Sequence, residues 1–489
     1  MSRSEKTNLI PNNNNNNEKK AENEQQLNKY RNIVYYLTFV AYAMSHFSRK
    51  SYTNVKVQMK GQAGMDPILL SQMDTAFMFF YAIGSFFSGR LGDTFHAPTI
   101  IGFGLIGSAA CVFFLVFGIY ENYAQSTIAG FAYFYFLSVW TIHGLFQSTG
   151  GPVGTAIMGN WFDSKNRGWI FGTWTCHQYI GNIAAAVCAS IILHTATVDW
   201  KWALVIPGLA NLIWGLVCLH YLPERPEHVG IETEESAAKA NSTTSSTTDS
   251  SSNLAPISFF DALRIPSVIG YALAFGFFKL INYSIFFWLP YFLATHFTPE
   301  QSNLISVLYD VGMMPGGIIV GTISDIYGGR RACVIVTFMM ILIPLLWLFA
   351  LYSTIMPAYV LLVLLGIMGV LVGGPNNIIT SAVAADLAEH PSLRGNSRAL
   401  GTVTGIINGS GSITAALGLM LIGPMQVAYG WSAVWYFLIA CTIIGTLLMS
   451  PKVMKEIYSH DAPQHATQEL PSTANRAGYQ AIGTKEDKI

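Results

Sequence analysis

"NIVYYLTFVAYAMSHFSRK", residues 32–50, is apolar enough over most of its length to lie in a bilayer, yet it closes on a histidine, an arginine and a lysine. A spanning helix needs about 20 mostly apolar residues to cross a hydrocarbon core about 30 Å thick, and such runs recur between residues 31 and 455. Of the 489 residues, 52% are AVILMFWYC and only 11% are charged, under half the roughly 25% charged residues usual in soluble domains. The chain therefore reads as an all-α polytopic membrane protein.

Working outward, apolar blocks predict helices at 31–57, 72–94, 97–120, 126–158, 167–193 and 202–221. Six more follow at 267–296, 302–324, 332–353, 357–386, 398–422 and 431–451. Basic residues of the short loops gather on one side, including Arg90, Arg167, Arg225, Arg264 and Arg398, while the other side holds Lys60, Lys201 and little else. The positive-inside rule then puts both termini in the cytosol. The expected layout is a disordered cytosolic N-terminal tail (1–30), an N-terminal six-helix bundle (31–221), a cytosolic linker (222–257), a C-terminal six-helix bundle (258–455) and a cytosolic C-terminal tail (456–489). The linker contains "NSTTSSTTDSSS" (241–252), too polar to pack. Net charge is zero, so nothing in the bulk electrostatics points to nucleic acid.

Six helices, a polar linker and six helices suggest duplication, and traces of it survive. "GRLGDTF" (89–95) and "GTISDIYGGRR" (321–331) place Gly89 against Gly321 and Asp93 against Asp325, both 232 apart. "FGTWT" (171–175) and "LGTVT" (400–404) put Gly172 against Gly401, 229 apart. Gly-Gly-Pro occurs at 150–152 and again at 373–375. Two homologous halves are a transporter architecture, with substrate bound between them near the midplane.

The charge in the opening stretch now acquires a purpose. A basic side chain at mid-membrane costs at least about 2.5–3.5 kcal/mol on insertion scales. Tyr42, His46 and Arg49 fall at i, i+4 and i+7, on one helical face. Adding 229 to 232 to Arg49 lands at 278–281, where Lys279 is the ionisable residue of "FGFFKLINYSIFFWLP" (275–290). Each half thus brings one cation to an equivalent place, and a doubly charged phosphate would satisfy both. Arginine suits phosphate because its planar fork makes two parallel hydrogen bonds. Tyr42, Asn282 and Tyr283 are candidates to bond phosphate or sugar hydroxyls. Asp310 is a counter-ion or proton-site candidate, and neutralising it is the alternative role for Lys279, one that can coexist with phosphate binding. Lys56 reads as interfacial, Asp74 as part of a helix start because "SQMD" (71–74) resembles a capping box, and Gly181, Gly316, Gly317 and Gly409 as close-packing points.

"GTISDIYGGRR" resembles the cytosolic loop motif of the major facilitator superfamily. "HFSRKSYTNVK" (46–56), "GNWFDSKNRGWIFGTWTCHQYIGN" (159–182), "LPERPEHVGI" (222–231), "ISFFDALRIP" (257–266) and "AADLAEHPSLRGNSRALG" (384–401) resemble the organophosphate:phosphate antiporters. The similarity is greatest to their eukaryotic sugar-phosphate exchanger, glycerol-3-phosphate transporter-like branch. It covers about residues 28–458. It implies twelve transmembrane helices in two pseudo-symmetric six-helix bundles that rock to exchange a phosphorylated sugar or glycerol 3-phosphate for inorganic phosphate. The family's Arg-Lys pair falls on Arg49 and Lys50. Its second phosphate arginine, in bacterial members, falls on Asn282, one turn beyond Lys279. Its histidine falls on Gln178, with His177 one residue before. Asp93, Asp325, Arg330 and Arg331 are expected to gate by docking helices on the cytosolic side.

Two other readings stand beside exchange: a proton-coupled organic anion symporter, and a non-transporting sensor on the same fold. Catalysis is not expected, since no Gly-rich phosphate loop, metal cluster or nucleophile elbow occurs in a suitable context, and no cofactor is called for. The six cysteines lie in apolar runs without a CxxC pair. "EKTNLI" (5–10) and "YQAI" (479–482) resemble signals for sorting adaptors. They favour an endomembrane, endoplasmic reticulum or endolysosomal, with the plasma membrane left open.

Overall fold

The computed structural model describes residues 13–128, 130–162, 167–231, 263–353, 355–388 and 399–460. The sorting-like segments 5–10 and 479–482 and most of the linker lie outside the described residues. Among the described residues the fold is all helical. In the first half run α1 (Asn13–Asn54), α2 (Lys56–Gly61), α3 (Pro67–Thr94), α4 (Ala97–Tyr120), α5 (Phe131–Gln147), α6 (Gly150–Trp161), α7 (Arg167–Trp174), α8 (His177–His194) and α9 (Trp202–Tyr221). The second half has α10 (Val268–Leu293), α11 (Pro299–Ile326), α12 (Arg331–Tyr352), α13 (Ala358–Ile378), α14 (Ala384–Ala388) and α15 (Ala399–His460). Eight helices among the described residues are long and apolar enough to cross a membrane. Helices suit lipid because each backbone group is satisfied within its own segment.

The predicted blocks fall largely on these helices, with differences at the ends. α1 begins at Asn13, ahead of the expected 31. The fourth and fifth blocks are each divided, at Ser148–Thr149 and Thr175–Cys176. The last two blocks run together as α15, broken at Gly430 (φ 77°, ψ −177°). The turn of "IYGGRR" has Gly328 at φ 71° and Gly329 at φ 80°, a left-handed conformation that side chains resist. That requirement accounts for the paired glycines of the motif.

Asp74 does not start a helix. Asp66 caps α3, its carboxylate accepting from Leu69 N at 2.7 Å, with Pro67 as first helical residue. Thr298 caps α11 in a capping box with Gln301, followed by Pro299. Asp66 to Thr298 and Pro67 to Pro299 are again 232 apart, so the duplication preserves the starts of α3 and α11 as well as the motifs at their ends. The anticipated glycines are contact points. A Cβ on Gly181 would run into Ala43 O, one on Gly316 into Val370 O and Gly374 N, one on Gly317 into Asn377, and one on Gly409 into the Phe86 ring.

For orientation, the end of the molecule bearing residues 94–97, 221–231 and 326–331 is called the tail side, and that bearing 54–67 and 293–299 the far side. On the far side the halves are stitched together. Asn303 Nδ2 donates to Asn54 O at 3.1 Å, and Ser190 Oγ to Glu300 O at 2.7 Å.

Candidate functional site

Among the described residues four lysine or arginine side chains are buried: Arg49, Lys50, Lys56 and Lys279. They divide into two kinds.

Lys50 and Lys56 have acids. Lys56 is no interfacial lysine: its Nζ is 2.6 Å from Asp74 Oδ2, both side chains are fully buried, and the Trp288 ring of α10 lies 4.2 Å away. Lys50 Nζ donates to Phe286 O at 2.9 Å and stands 3.9 Å from Asp310 Oδ2. The alternative role for Lys279, neutralising Asp310, is taken by Lys50 instead. Asp310 Oδ1 also accepts from Asn182 Nδ2 at 2.8 Å, and Asn182 Oδ1 lies 3.3 Å from His46 Nδ1. A polar chain thus runs from His46 through Asn182 to Asp310 and Lys50, crossing between the halves twice.

Arg49 and Lys279 have no carboxylate within 4.0 Å among the described residues. Arg49 Nε and Nη2 donate to Gln147 Oε1 at 3.3 and 3.1 Å. Its guanidinium carbon lies 4.9 Å from the Phe77 ring centroid and 4.8 Å from that of Tyr81. Gln147 is itself oriented from behind, its amide nitrogen 3.1 Å from Ser45 O, 3.1 Å from Ser48 Oγ and 2.9 Å from Ser108 Oγ. Asn211 Nδ2 holds the same two serines at 2.8 and 3.1 Å. α1, α4, α5 and α9 thus converge to aim one carbonyl oxygen at Arg49.

Lys279 Nζ donates to Asn408 O at 3.1 Å, Asn408 Oδ1 at 2.6 Å and Ser412 Oγ at 2.6 Å, all on α15. The ring centroid of Tyr283 is 5.7 Å from that ammonium, and its hydroxyl interacts with Arg49. Tyr283 therefore lies between cations of opposite halves.

The remaining expected residues are placed as follows. Tyr42 packs on His177 (centroids 4.2 Å), His46 (5.4 Å) and Trp174 (6.0 Å). His177 is buried with both ring nitrogens lacking a hydrogen-bond partner. Asn282 accepts from Tyr309 Oη at 3.1 Å and so braces α10 on α11. On the tail side Arg331 grips Asp386 with Nε at 2.6 Å and Nη2 at 3.1 Å. Glu456 accepts from Ala332 N and Cys333 N at the start of α12, next to Arg330, the residue preceding that helix. Asp325 is exposed there, its carbonyl accepting from Gly328 N. The Asp93 side chain lies outside the described residues. Gln147, Asn182, Asn408, Ser412 and Glu456 carry no signal in the sequence that marks these roles.

A profile of the Major Facilitator Superfamily matches residues 38–396 and 296–476. A putative glycerol-3-phosphate transporter of Arabidopsis thaliana is 34% identical, covering 91% of each chain. A glucose-6-phosphate exchanger of Xenopus laevis is 35% identical over 88% of this chain and 94% of its own. Sugar phosphate exchanger 3 of Gallus gallus is 33% identical over 87% and 92%. Among solved structures, a bacterial homolog of the human lysosomal transporter Spinster, inward-facing and unoccupied, superposes with TM-score 0.61 at 15% identity, covering 88% of this chain and 95% of that one. A D-xylose-proton symporter does so at 0.62 and 10%, covering 85% and 96%.

Proposed function

The chain belongs to the major facilitator superfamily, and from that premise we propose that it exchanges a phosphorylated sugar or glycerol 3-phosphate for inorganic phosphate by alternating access. One observation carries the site assignment: of the four buried cations among the described residues, the two held only by neutral acceptors are Arg49 and Lys279, one in each half. A buried charge is costly until paired, and a dianionic phosphate satisfies both.

In this reading Gln147, Asn408 and Ser412 hold the two side chains in place until the ligand arrives. Phosphate then draws the halves together through Arg49 and Lys279, with Tyr283 between them. The empty carrier keeps two uncompensated charges, which disfavours the compact intermediate, so each return needs another phosphate compound. A ligand shifts such an equilibrium only by its differential affinity for the two states. Tyr42, His46, His177 and Trp174 supply a rigid aromatic wall against which a sugar moiety can rest. Lys50 and Asp310 fasten the far side, while Asp325, Arg330 and Arg331 belong to the tail-side gate. The basic loops favour a cytosolic tail side, and an endomembrane location is proposed from the terminal motifs alone.

Counterflow with the full-length protein in phosphate-loaded proteoliposomes tests this, using labelled phosphate against a panel of phosphate esters. Uptake is expected only with phosphate or an ester inside. Equal uptake into phosphate-free vesicles under a pH gradient would replace exchange by proton-coupled symport, in which Asp310 or a histidine carries the proton.

A further inference from the structure

His96, Glu224 and His228 stand apart from the central site, on the tail side of the first half. Their ligating atoms all lie within 4.8 Å of one another. We propose that these three residues form a binding site for a borderline divalent metal ion of the zinc type, a role independent of the transport reading.

The donor set fits that class. Two imidazoles and one carboxylate are a common three-residue ligand set for zinc, with water completing the tetrahedron. Zinc–ligand bonds near 2.0–2.1 Å require donor atoms about 3.3 Å apart in a tetrahedron. His96 Nε2 and Glu224 Oε2 are already at 3.8 Å, and the His96 and His228 rings stack 6.3 Å apart at 21°. The approach from that spacing to coordination distance falls to the Glu224 and His228 side chains, since the His96 ring is already held by Thr99 with Nε2 turned toward Glu224.

The backbone beneath is fixed from three directions. His96 opens α4, with Thr99 N bonded to its carbonyl at 3.0 Å. The stretch after α9 is tied to α6 by Trp161 Nε1 donating to Pro223 O at 3.2 Å and Asn160 Nδ2 to Glu224 O at 3.4 Å. His228 sits in the 3-10 turn Pro226–Val229, which rests on the buried Pro226 and is followed by the buried Ile231.

The outer contacts also suit a metal. His96 Nδ1 lies 2.9 Å from Thr99 Oγ1, an arrangement that leaves Nε2 for coordination and fixes the ring, as outer partners of ligating histidines do. Glu224 Oε1 faces Arg225 Nε at 3.7 Å, while Oε2 points to His96. Occupancy would fasten the α3–α4 turn to the root of the segment that leads toward the second half.

The test uses tag-free full-length protein in detergent, titrated with Zn2+ by calorimetry and with Co2+ by visible absorption. The expected result is one saturable Zn2+ per chain and a tetrahedral cobalt band. His228→Ala should lower affinity by about 100-fold or more, and Thr99→Val, which removes only the outer hydroxyl, by about ten-fold. Elution of both variants as wild type on size exclusion establishes that they fold. Absence of saturable binding in the wild type, or unchanged affinity in His228→Ala, overturns the proposal.

Discussion

The Lys50 ammonium lies 3.9 Å from the Asp310 carboxylate and donates to Phe286 O at 2.9 Å, so one side chain of the first half is anchored twice in the second. Removing one member of a buried pair costs roughly 3–5 kcal/mol, whereas neutralising both costs far less. Asp310→Asn and Lys50→Met are therefore each expected to abolish most exchange, and the double variant to recover a substantial part of it. Phosphate self-exchange in proteoliposomes checks this. A double variant no better than the worse single one would mean that the two residues act separately.

For Arg49 the expectation is graded. A hydrogen bond to a charged group is worth about 1.5–3 kcal/mol, or about 10- to 150-fold in affinity. Arg49→Ala should weaken phosphate binding by at least that range, and Arg49→Lys by less, because it keeps the charge but loses the fork. Gln147→Leu should raise KM while leaving Arg49 present, since it removes the neutral acceptor that aims the guanidinium. Near-normal exchange in Arg49→Ala would exclude the phosphate site.

The Lys56–Asp74 pair makes a separate stability prediction. Both side chains are fully buried and the Trp288 ring covers the lysine at 4.2 Å. Lys56→Met should lower the melting temperature in detergent, and Lys56→Met with Asp74→Asn should lower it less. Equal melting of Lys56→Met and wild type would show that the pair is dispensable.

The helices, the duplication and the burial of Arg49 and Lys279 within apolar helices are legible in the sequence, because apolar length, recurring glycine motifs and isolated charges are local signals. What charges pair with is not local. Lys50 and Asp310 meet across the two halves, and nothing in the sequence around Asp310 separates Lys50 from Lys279 as its partner. Lys56 and Asp74 are only 18 apart, but the chain turns back on itself between them through α2. "SQMD" imitates a capping box around Asp74, but the cap signal lies in Asp66-Pro67, matched by Thr298-Pro299 at the same 232 offset. Gln147, Asn182 and Asn408 are neutral polar residues in apolar helices. Nothing in their neighbours separates an acceptor aimed at a buried cation from one satisfied in packing.

Lys279 provides the sharpest test of the two-cation reading. Its three acceptors, Asn408 O, Asn408 Oδ1 and Ser412 Oγ, match the three donors of an ammonium. An arginine there keeps the charge but presents a planar fork too broad for that pocket, so Lys279→Arg should retain measurable exchange at reduced affinity. Lys279→Met removes the second charge and leaves the phosphate with Arg49 alone, so exchange should fall by at least about ten-fold. Asn408→Ala removes one of the two side-chain acceptors at 2.6 Å that position the ammonium, so phosphate affinity should fall, as in Gln147→Leu, but by less than in Lys279→Met. Dose–response curves for phosphate self-exchange separate these outcomes. If Lys279→Met exchanges as well as wild type while Arg49→Ala does not, the anion is held by the first half alone and the symmetric grip is refuted.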